Sequence, residues 1–451
     1  MSSIADQSAR VDARAALLKT LDVLSMPAIA MVLAFGGGAL IIWITSGDLG
    51  TVFAAYGGMI NGAFFKTRGL SETLVATTPY IFLALAVSLG FKAGLFNIGV
   101  EGQFYIGAIS AAWAGVAFAG LPAIIHLPLM LLASALGGAV WGMIPGYLKA
   151  KTGAHEVINT IMMNYIAFRF VEYLVSGPLR DSKSSAVQTE RISRDAELWS
   201  LYQIPERLSD PGNALLVSIL VAFSAIILAR LILAQPRWTR VANRALMMWG
   251  AGIASGILTF IALPPLTRAV WLFTDQYDRM HVGLLGALAA AAFVAWLLWK
   301  TTLGFEMRMT GASPDAARYA GVNSTRTIVV TMAISGALAG MAGATEVLGV
   351  SICRCLPLFF SSGYGFESIA IALLAKNSPL GIVFGAFLFG AMRNGSDLME
   401  LNSGVSKYVI SLIQGLVLLF VAAPLMLRAL LRMRAPRAGE SDAPLTRGWG
   451  G

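Results

Sequence analysis

Asn97, Glu101 and Gln103 are the residues whose chemistry is hardest to reconcile with their surroundings. They stand among three glycines in the stretch GLFNIGVEGQF, residues 94–104, between two long apolar runs. If those runs cross a membrane, a carboxylate at mid-bilayer costs about 2.5–3.5 kcal/mol, and one hydrogen bond between membrane helices returns only about 0.6 kcal/mol. Glu101 must therefore lie near an interface, carry a proton, or face a cavity that holds water.

The glycines around Glu101 favour a broken helix, with Gly102 opening the helix that follows. The start of a helix has free N–H groups and the positive end of the helix dipole, and a carboxylate is stabilised there. Two interpretations stay open at this point. Asn97 and Glu101 cap an ordinary cytoplasmic turn, or the break lines a pathway through the membrane.

Further polar residues lie inside other apolar runs. In HEVINTIMMNY, Glu156 opens a run and is followed by Asn159 and Asn164, all roughly on one helical face. Amides within a span mark positions that face the bundle or a cavity, and plain helix–helix hydrogen bonding is the alternative. By the same cost argument, Glu346 in GATEVLG lies near the outer interface or faces a cavity.

The composition defines the class of protein to which these residues belong. The 451 residues are 57% hydrophobic and 13% charged, with a mean hydropathy of +0.72, whereas soluble domains carry about 25% charged residues. The apolar runs are continuous rather than alternating, which favours helices over a β-barrel. We therefore predict an all-α polytopic integral membrane protein with about 10–12 transmembrane helices, some of them short or broken.

The apolar runs and the basic residues between them predict the topology. The runs cover 26–46, 74–91, 104–120, 124–147, 157–175, 214–233, 245–264, 282–299, 327–350, a short pair at 367–375 and 380–392, and 409–427. Lys and Arg are more frequent in alternate short loops, which predicts that both termini are cytoplasmic. The expected parts are a tail at 1–25, a transmembrane domain at 26–427 with a periplasmic loop at 177–212, and a tail at 428–451.

Small residues recur at four-residue spacing in two of these runs. Gly138, Gly142 and Gly146 share one face of the run at 124–147, and Gly336 and Gly340 share a face of the run at 327–350. Such faces allow two membrane helices to approach closely, so we expect them to serve packing.

Several classes of function are excluded or disfavoured. The net charge of +9 lies mostly in short loops, as orientation signals do, so no nucleic-acid partner is expected. The chain has no phosphate-binding loop, no zinc-binding spacing of its three histidines and no nucleophile elbow. A membrane-embedded transferase would need a cluster of catalytic acids or histidines, and none is visible. We expect transport without catalytic residues, metal or cofactor, and we expect Cys353 and Cys355, spaced C-R-C, to form neither a metal site nor a disulfide.

A compact helix signal lies between the runs at 282–299 and 327–350. Ser313 is suited to an N-cap, Pro314 to the first helical position, Asp315 to the positive end and Gly321 to the C-terminal cap. A helix of this length is not stable alone, so the membrane surface or a partner must hold it. Tyr319 and the neighbouring alanines offer a shallow contact surface for a cytoplasmic partner, and an ordinary surface helix is the alternative.

Four stretches together resemble one family. GLFNIGVEGQF, HEVINTIMMNYIA, GFEMRMTGASPDAARYAGVN and GYGFESIAIALLAKNSPLG are similar to signatures of the membrane permeases of bacterial ABC importers for nucleosides and simple sugars, which are related to ribose and branched-chain amino-acid permeases. The order and spacing match from about residue 70 to residue 427, and the nucleoside type is the closer match. A simple sugar or a vitamin such as riboflavin is the alternative solute, and a secondary transporter is a more distant alternative.

The resemblance implies an assembly in the bacterial inner membrane. Two permease subunits, identical or paralogous, form the pathway for a small-molecule solute, cytoplasmic ATPase subunits hydrolyse the ATP, and a periplasmic protein delivers the solute. It also implies roles for two sets of residues. The pathway or the moving helix contacts would include Asn97, Glu101, Gln103, Glu156, Asn159, Asn164 and Glu346. The helix at 312–321 would couple the permease to the ATPase through Ser313, Pro314, Asp315, Arg318, Tyr319 and Gly321.

One region departs from the family pattern. Members usually pass through a single span between the outer loop and the T-x-x-G-F motif, whereas this chain has three apolar runs there. We therefore predict an extra two-helix insertion at 235–300, and because the number of added spans is even, the topology is retained.

Overall fold

The computed structural model describes residues 27–193, 196–233, 244–267 and 276–422, and most of these residues are helical. Within these ranges, β-structure is limited to isolated bridges. Five of the described helices are long and apolar enough to cross a membrane, and shorter apolar helices accompany them. The chain is thus an all-α polytopic membrane protein, which confirms the expected class. Both expected tails, 1–25 and 428–451, lie outside the described residues.

The helices follow the predicted apolar runs closely. In chain order they are α1 Pro27–Ser46, α2 Leu49–Ile60, α3 Gly69–Lys92, α4 Val100–Ala117, α5 Ala123–Thr152, α6 Glu156–Ser176, α7 Ile204–Ser209, α8 Pro211–Leu233, α9 Arg244–Thr267, α10 Gly283–Lys300, α11 Thr302–Ala312, α12 Pro314–Tyr319, α13 Ser324–Thr345, α14 Tyr364–Leu374, α15 Pro379–Ser403 and α16 Tyr408–Ala422. Two π-helical segments, Asn61–Phe65 and Glu346–Val350, continue α2 and α13.

Two elements differ from the prediction. Helix α2 was not expected, because its glycines and Asn61 interrupt an apolar run that is too short for a full span. Helix α15 does not stop at residue 392 but continues to Ser403. The polar residues beyond that point are accommodated because Asn394 donates hydrogen bonds to the carbonyls of Gly62 and Gly69 and to the hydroxyl of Thr73.

Helix α13 is central and packs against α3, α4 and α5. The predicted glycine faces form these contacts. A methyl group on Gly138 would lie 2.1 Å from the carbonyl oxygen of Gly336, and one on Gly107 would lie 2.3 Å from the Cα of Gly340. Any larger residue would force the helices apart, so the close approach requires glycine. Helix α3 is also enclosed, since 83% of the residues in its most apolar stretch are buried. Helix α5 lies at the edge of the bundle, since only 22% of the residues in its most apolar stretch are buried.

Helices α8 and α9 form a hairpin that packs chiefly on itself and on the short helix α7. Gly252 and Gly256 of α9 lie against Ala222 and Ser218 of α8, which brings the two helices close together. Helix α10, in contrast, packs against α3, α11 and α15 in the main bundle. The insertion expected at 235–300 stays a prediction, and the packing favours α8 and α9 as the extra pair.

The segment after α13 corrects one expectation. Cys353 and Cys355 are joined by a disulfide, so the prediction that they are unpaired is wrong. Arg354 between them has a left-handed backbone, with φ of 51°, and this turn places the two Cα atoms 5.2 Å apart, within the range that a disulfide spans. The same segment pairs with part of the loop expected to be periplasmic, since the amide of Thr189 donates to the carbonyl of Leu356.

Candidate functional site

The chain reverses between α3 and α4 and re-enters the bundle before α4 begins. Gly94 has a left-handed backbone, with φ of 73°, and the amide of Leu95 donates back to the carbonyl of Gly90 in the last turn of α3. A side chain on Gly90 would contact the carbonyl of Leu95, so the returning chain lies directly on α3. We refer to residues 95–103, which include the first turn of α4, as the helix break.

Asn97 is the hydrogen-bonding centre of the helix break. Its amide nitrogen donates to Gln103 Oε1 at 3.1 Å and to Ser335 Oγ at 2.9 Å, and its oxygen accepts from the amide of Gly99 at 3.0 Å. Ser335 in turn donates to the carbonyl of Ala86 on α3 at 2.7 Å. The two predicted residues Asn97 and Gln103 are therefore buried together, and they connect the break to α3 and α13.

Asn164 holds the break from the opposite side. Its side-chain oxygen accepts from the amide of Gly102 at 2.8 Å, and its nitrogen donates to the carbonyl of Ile98 at 3.0 Å. A helix start has backbone groups without helical partners, and this one amide satisfies two backbone groups there. Asn164 thus contacts the same break as Asn97 and Gln103, and α4 begins at Val100 rather than at Gly102.

Glu101 is 2% exposed, and it does not cap its own helix. Its carboxylate accepts hydrogen bonds from the hydroxyl of Ser361 and from the amide of Gly365, both at 2.5 Å. Gly365 lies in the first turn of α14, so the carboxylate is placed at the positive end of that helix. A side chain at Gly365 would collide with Glu101, which explains the glycine in the GYGFES motif.

The position of Glu101 along α14 bears on the two interpretations of the break. Helix α14 has 11 residues and is about 16 Å long. It leads from Glu101 to a turn in which the carbonyl of Asn377 accepts from Ser88, near the end of α3. Glu101 therefore lies about one length of α14 from that turn, inside the bundle, and its carboxylate bonds to α14 rather than capping the turn. Asn97 does accept from the amide of Gly99 in the turn, so a lining of the pathway by the break stays a prediction.

A second charged group, which the sequence analysis missed, surrounds Tyr364. Arg393 on α15 lies 3.9 Å over the ring of Tyr364, donates to Ser362, and has a nitrogen 3.8 Å from the carboxylate of Glu367. Tyr80 on α3 donates to the same carboxylate. Glu367 begins the predicted run at 367–375, and Arg393 directly follows the predicted run at 380–392. The available signal was that each is a charged residue at the edge of an apolar stretch.

Aromatic rings form a cluster that begins one turn after Glu101 on α4. The ring of Phe360 lies 5.3 Å from that of Phe104 and 4.5 Å from that of Tyr105, and Phe168 lies 4.7 Å from Tyr105. Phe104 also lies 5.9 Å from Tyr364. An aromatic cluster from α4, α6, α14 and the segment that precedes α14 thus includes the two rings that follow Glu101 by three and four residues on α4.

Glu346 begins the π turn, the segment Glu346–Val350 that ends α13. It is 8% exposed, and one of its carboxylate oxygens has no hydrogen-bond partner within the described residues. Arg393 and Arg279 both act electrostatically on it. The π turn also contacts His281, since a methyl group on Gly349 would lie 2.4 Å from the ring. Glu346 is therefore buried and does not reach surface water.

Two predicted pathway residues are not part of this site. Glu156 forms an ion pair with Lys149 of α5 at 3.0 Å. Asn159 is half-buried, and its side-chain nitrogen has no partner in the described part of the chain. Although both lie roughly on one face of α6 with Asn164, only Asn164 reaches the helix break.

The predicted short helix is present as α12. Ser313 accepts from the amide of Ala316, and Gly321 has the left-handed backbone expected of a C-terminal cap. Asp315 lies in its first turn and Arg318 in its last. Ala317 is buried against the protein, and Tyr319 is 96% exposed, so the helix presents an aromatic side chain outward.

Helix α11, which leads into α12, touches the chain just before the helix break. A methyl group on Gly311 would lie 2.5 Å from the carbonyl of Lys92, and one on Gly94 would lie 2.9 Å from the Cα of Gly311. The two backbones are thus in direct contact at Gly311 and residues 92–94.

The comparisons with known proteins identify the family. Residues 69–422 match the family described as branched-chain amino acid transport system / permease component. The chain belongs to this family. The match begins with α3 and ends with α16, so it includes the helix break, the π turn and α12. A search of the solved structures finds no significant match.

Individual relatives are similar over most of their length. The guanosine ABC transporter permease protein NupP of Bacillus subtilis is 35% identical over 412 residues, covering 91% of this chain and 97% of the relative. The nucleoside ABC transporter permease protein NupB of Lactococcus lactis is 28% identical, covering 94% and 97%. The glucose ABC transporter permease protein TsgB13 of Haloferax volcanii is 31% identical, covering 81% and 79%.

Proposed function

We propose that this chain is the membrane-spanning permease subunit of an ATP-driven ABC importer and that its solute is a nucleoside. The observation that carries the proposal is the 35% identity to a guanosine permease across 91% of the chain. The second nucleoside permease covers slightly more of the chain, whereas the glucose permease covers less. The subunit performs no chemistry, and separate ATPase subunits hydrolyse the ATP.

The groups around Glu101 suit a nucleoside. Aromatic side chains stack on the flat faces of nucleobases, and Phe104 and Tyr105, three and four residues after Glu101 on α4, are grouped with Phe360. Carboxylates accept hydrogen bonds from ribose hydroxyls and from base N–H groups. Glu101, Glu346, Glu367 and Arg393 would line the pathway or change partners when it opens, whereas Asn97, Gln103 and Asn164 would hold the helix break in place.

Energy would reach this site through α12. An ATPase subunit docked on Tyr319 would displace α12 and α11, and the backbone contact between Gly311 and Gly94 would pass the movement to the helix break. Glu101 belongs to the break, and its carboxylate is hydrogen-bonded to the first turn of α14. Helix α14 would therefore move with the break. A Gly311→Ala substitution that leaves uptake and ATPase stimulation unchanged would contradict this route.

The remaining partners follow from the family. A second permease subunit, identical or paralogous, would complete the pathway in the lipid of the bacterial inner membrane, and a periplasmic binding protein would deliver the solute. Both termini would be cytoplasmic. The loop at 177–212 and the disulfide-bonded segment after α13 would then face the periplasm, the compartment in which disulfides persist.

A strain that lacks its own nucleoside uptake and expresses this chain with its operon partners provides the test of the solute. We expect uptake of labelled guanosine to compete with unlabelled nucleosides and not with glucose or riboflavin. Competition by glucose would favour a sugar importer, and competition by riboflavin would favour a vitamin importer. Uptake that follows an ion gradient and persists without the ATPase would identify a secondary transporter.

The role of α12 is tested by co-purification from detergent-solubilised membranes. We expect an ATPase subunit and a second permease to co-purify with the wild type, and Tyr319→Asp to release the ATPase alone. Tyr408→Asp is the matched control, because Tyr408 is also exposed but begins α16. If Tyr319→Asp retains the ATPase, α12 does not couple the two subunits.

A further inference from the structure

The ends of two long helices border an open surface cavity that the proposed transport route does not use. Helix α5 ends at Thr152 and α13 begins at Ser324, so these ends belong to one surface of the bundle. Between them lies a cavity of about 410 Å³. We name it the basic pocket, and its lining residues are Lys151, Asn323, Thr325, Arg326, Val329 and Val330.

The positive charge of the basic pocket is available to a ligand. Neither Lys151 nor Arg326 forms an ion pair with any residue that the structure describes. Lys149, two residues before Lys151, differs because it is paired with Glu156 at 3.0 Å. The two cations of the pocket therefore lack the anionic neighbour that Lys149 has.

The charge does not come from the start of α13. Asn323 caps this helix, and its side-chain oxygen accepts from the amide of Arg326 at 3.0 Å. The nearby carboxylate of Glu306 accepts from the hydroxyl of Thr327 at 3.3 Å. The attraction for an anion therefore rests on the side chains of Lys151 and Arg326.

One wall of the basic pocket is apolar and continues into the outer surface of α5. Val329 and Val330 form this wall, and within the two turns before Lys151 the side chains of Ile144, Tyr147 and Leu148 are exposed. A free inorganic anion gains nothing from such a wall. A phospholipid matches both parts, since its phosphate meets the cations and its acyl chains follow the apolar surface.

We propose that the basic pocket binds the headgroup of an anionic phospholipid. Basic pockets between the ends of membrane helices are suited to such headgroups, and a single Lys or Arg near an anionic membrane surface contributes about 1 kcal/mol. The pocket lies next to the segment that joins α12 to α13. A bound lipid therefore braces the start of α13 against the end of α5, beside the short helix.

Native mass spectrometry of the delipidated full-length protein in detergent tests the proposal. The probes are phosphatidylglycerol, phosphatidylethanolamine and inorganic phosphate. We expect the wild type to retain phosphatidylglycerol in preference to phosphatidylethanolamine, and Lys151→Gln/Arg326→Gln to weaken phosphatidylglycerol binding by about 30-fold. The charge-retaining Lys151→Arg/Arg326→Lys variant should bind nearly as well as the wild type.

A matched control separates this pocket from the overall charge of the protein. Lys66→Gln/Lys300→Gln removes the same charge at two other exposed positions, and we expect it to leave binding unchanged. Val330→Trp, which fills the apolar wall, should weaken lipid binding while both cations remain. The proposal is overturned if the control variant loses as much binding, if both lipids bind equally, or if inorganic phosphate displaces the lipid.

Discussion

The helix break and the π turn both place polar side chains deep in an apolar bundle, but they differ in whether those side chains have hydrogen-bond partners. At the break, the side chains of Asn97, Gln103 and Asn164 all have hydrogen-bond partners. At the π turn, an oxygen of Glu346 and both ring nitrogens of His281 have none among the described residues. One region is complete as it stands, and the other holds unpaired polar atoms.

This difference indicates which region keeps its internal contacts, even if it moves as a unit, and which region has a second arrangement of contacts. A buried polar group without a partner costs about 1–3 kcal/mol, so an arrangement that keeps such groups must gain elsewhere. In an importer that alternates between two states, unpaired groups in one state can find partners in the other. We therefore assign the helix break to positioning and the π turn to the conformational change.

Asn164→Leu should have the largest effect on stability. The substitution keeps the size but leaves the amide of Gly102 and the carbonyl of Ile98 without partners, at a total cost of about 4 kcal/mol. We expect a large fall in the melting temperature of the purified protein in detergent. Asn159→Leu, on the same helix, is the control and should change the melting temperature little; equal effects would contradict a fixed helix break.

His281 should make the π-turn region sensitive to acid. Burial is the main cause that lowers the pKa of His281 to about 3, and Arg354 and Arg279 add to it. The unfolded chain binds a proton near pH 6.5 and the folded chain does not, so stability falls as the pH drops below about 6.5. The loss should reach about 2 kcal/mol at pH 5.

The His281→Phe variant isolates this contribution. Other groups also titrate in this range, so the quantity to measure is the difference in the pH dependence of the melting temperature between variant and wild type. We expect His281→Phe to lose less stability between pH 7 and pH 5. His155→Phe, at an exposed histidine, should follow the wild type, and a shared profile for all three proteins would refute the assignment.

Glu346→Gln should separate stability from transport. Removing a buried charge that lacks one partner relieves its burial cost, so we expect the free energy of unfolding to stay equal or to rise by about 1 kcal/mol. If Glu346 changes partners during transport, nucleoside uptake should nevertheless fall at least about tenfold. Uptake per folded molecule in proteoliposomes measures this, and normal uptake would show that the π turn is not part of the switch.

Arg169→Ala should have the smallest effect. Arg169 donates to Glu172 at 2.7 Å, but the arginine side chain is 81% exposed. Exposed pairs of this kind contribute less than about 0.5 kcal/mol. A shift in melting temperature as large as that of Asn164→Leu would mean that surface pairs, rather than the buried amides, hold this helix.

Much of the fold could be predicted because apolar runs and helix caps are local signals. The spans, the glycine faces and α12 with its Ser313 cap each depend on a few neighbouring residues. The site was predictable only in part. Asn97, Gln103 and Asn164 were recognised as polar residues in apolar surroundings, but Glu101 finds its partners more than 250 residues away in the sequence, and a single sequence carries no record of such contacts.

The charged group on α14 and α15 was missed for a related reason. Arg393 follows an apolar run, so it was interpreted as the end of a span, although its partners Tyr80, Ser362 and Glu367 make it part of the interior. Glu156 and Asn159 show the opposite error. Their helical spacing predicted a common face with Asn164, but the position of α6 within the bundle decides which residue reaches the break.

The disulfide between Cys353 and Cys355 makes the orientation of the chain in the membrane measurable. Reducing systems in the bacterial cytosol keep thiols free, and oxidation on the far side joins them. A membrane-impermeant reductant added to intact spheroplasts can reduce this disulfide only if the segment after α13 lies on the outer side. The appearance of the two free thiols therefore reports the side on which this segment lies. Because this chain has no other cysteine, a single maleimide label fixes that side without an engineered reporter.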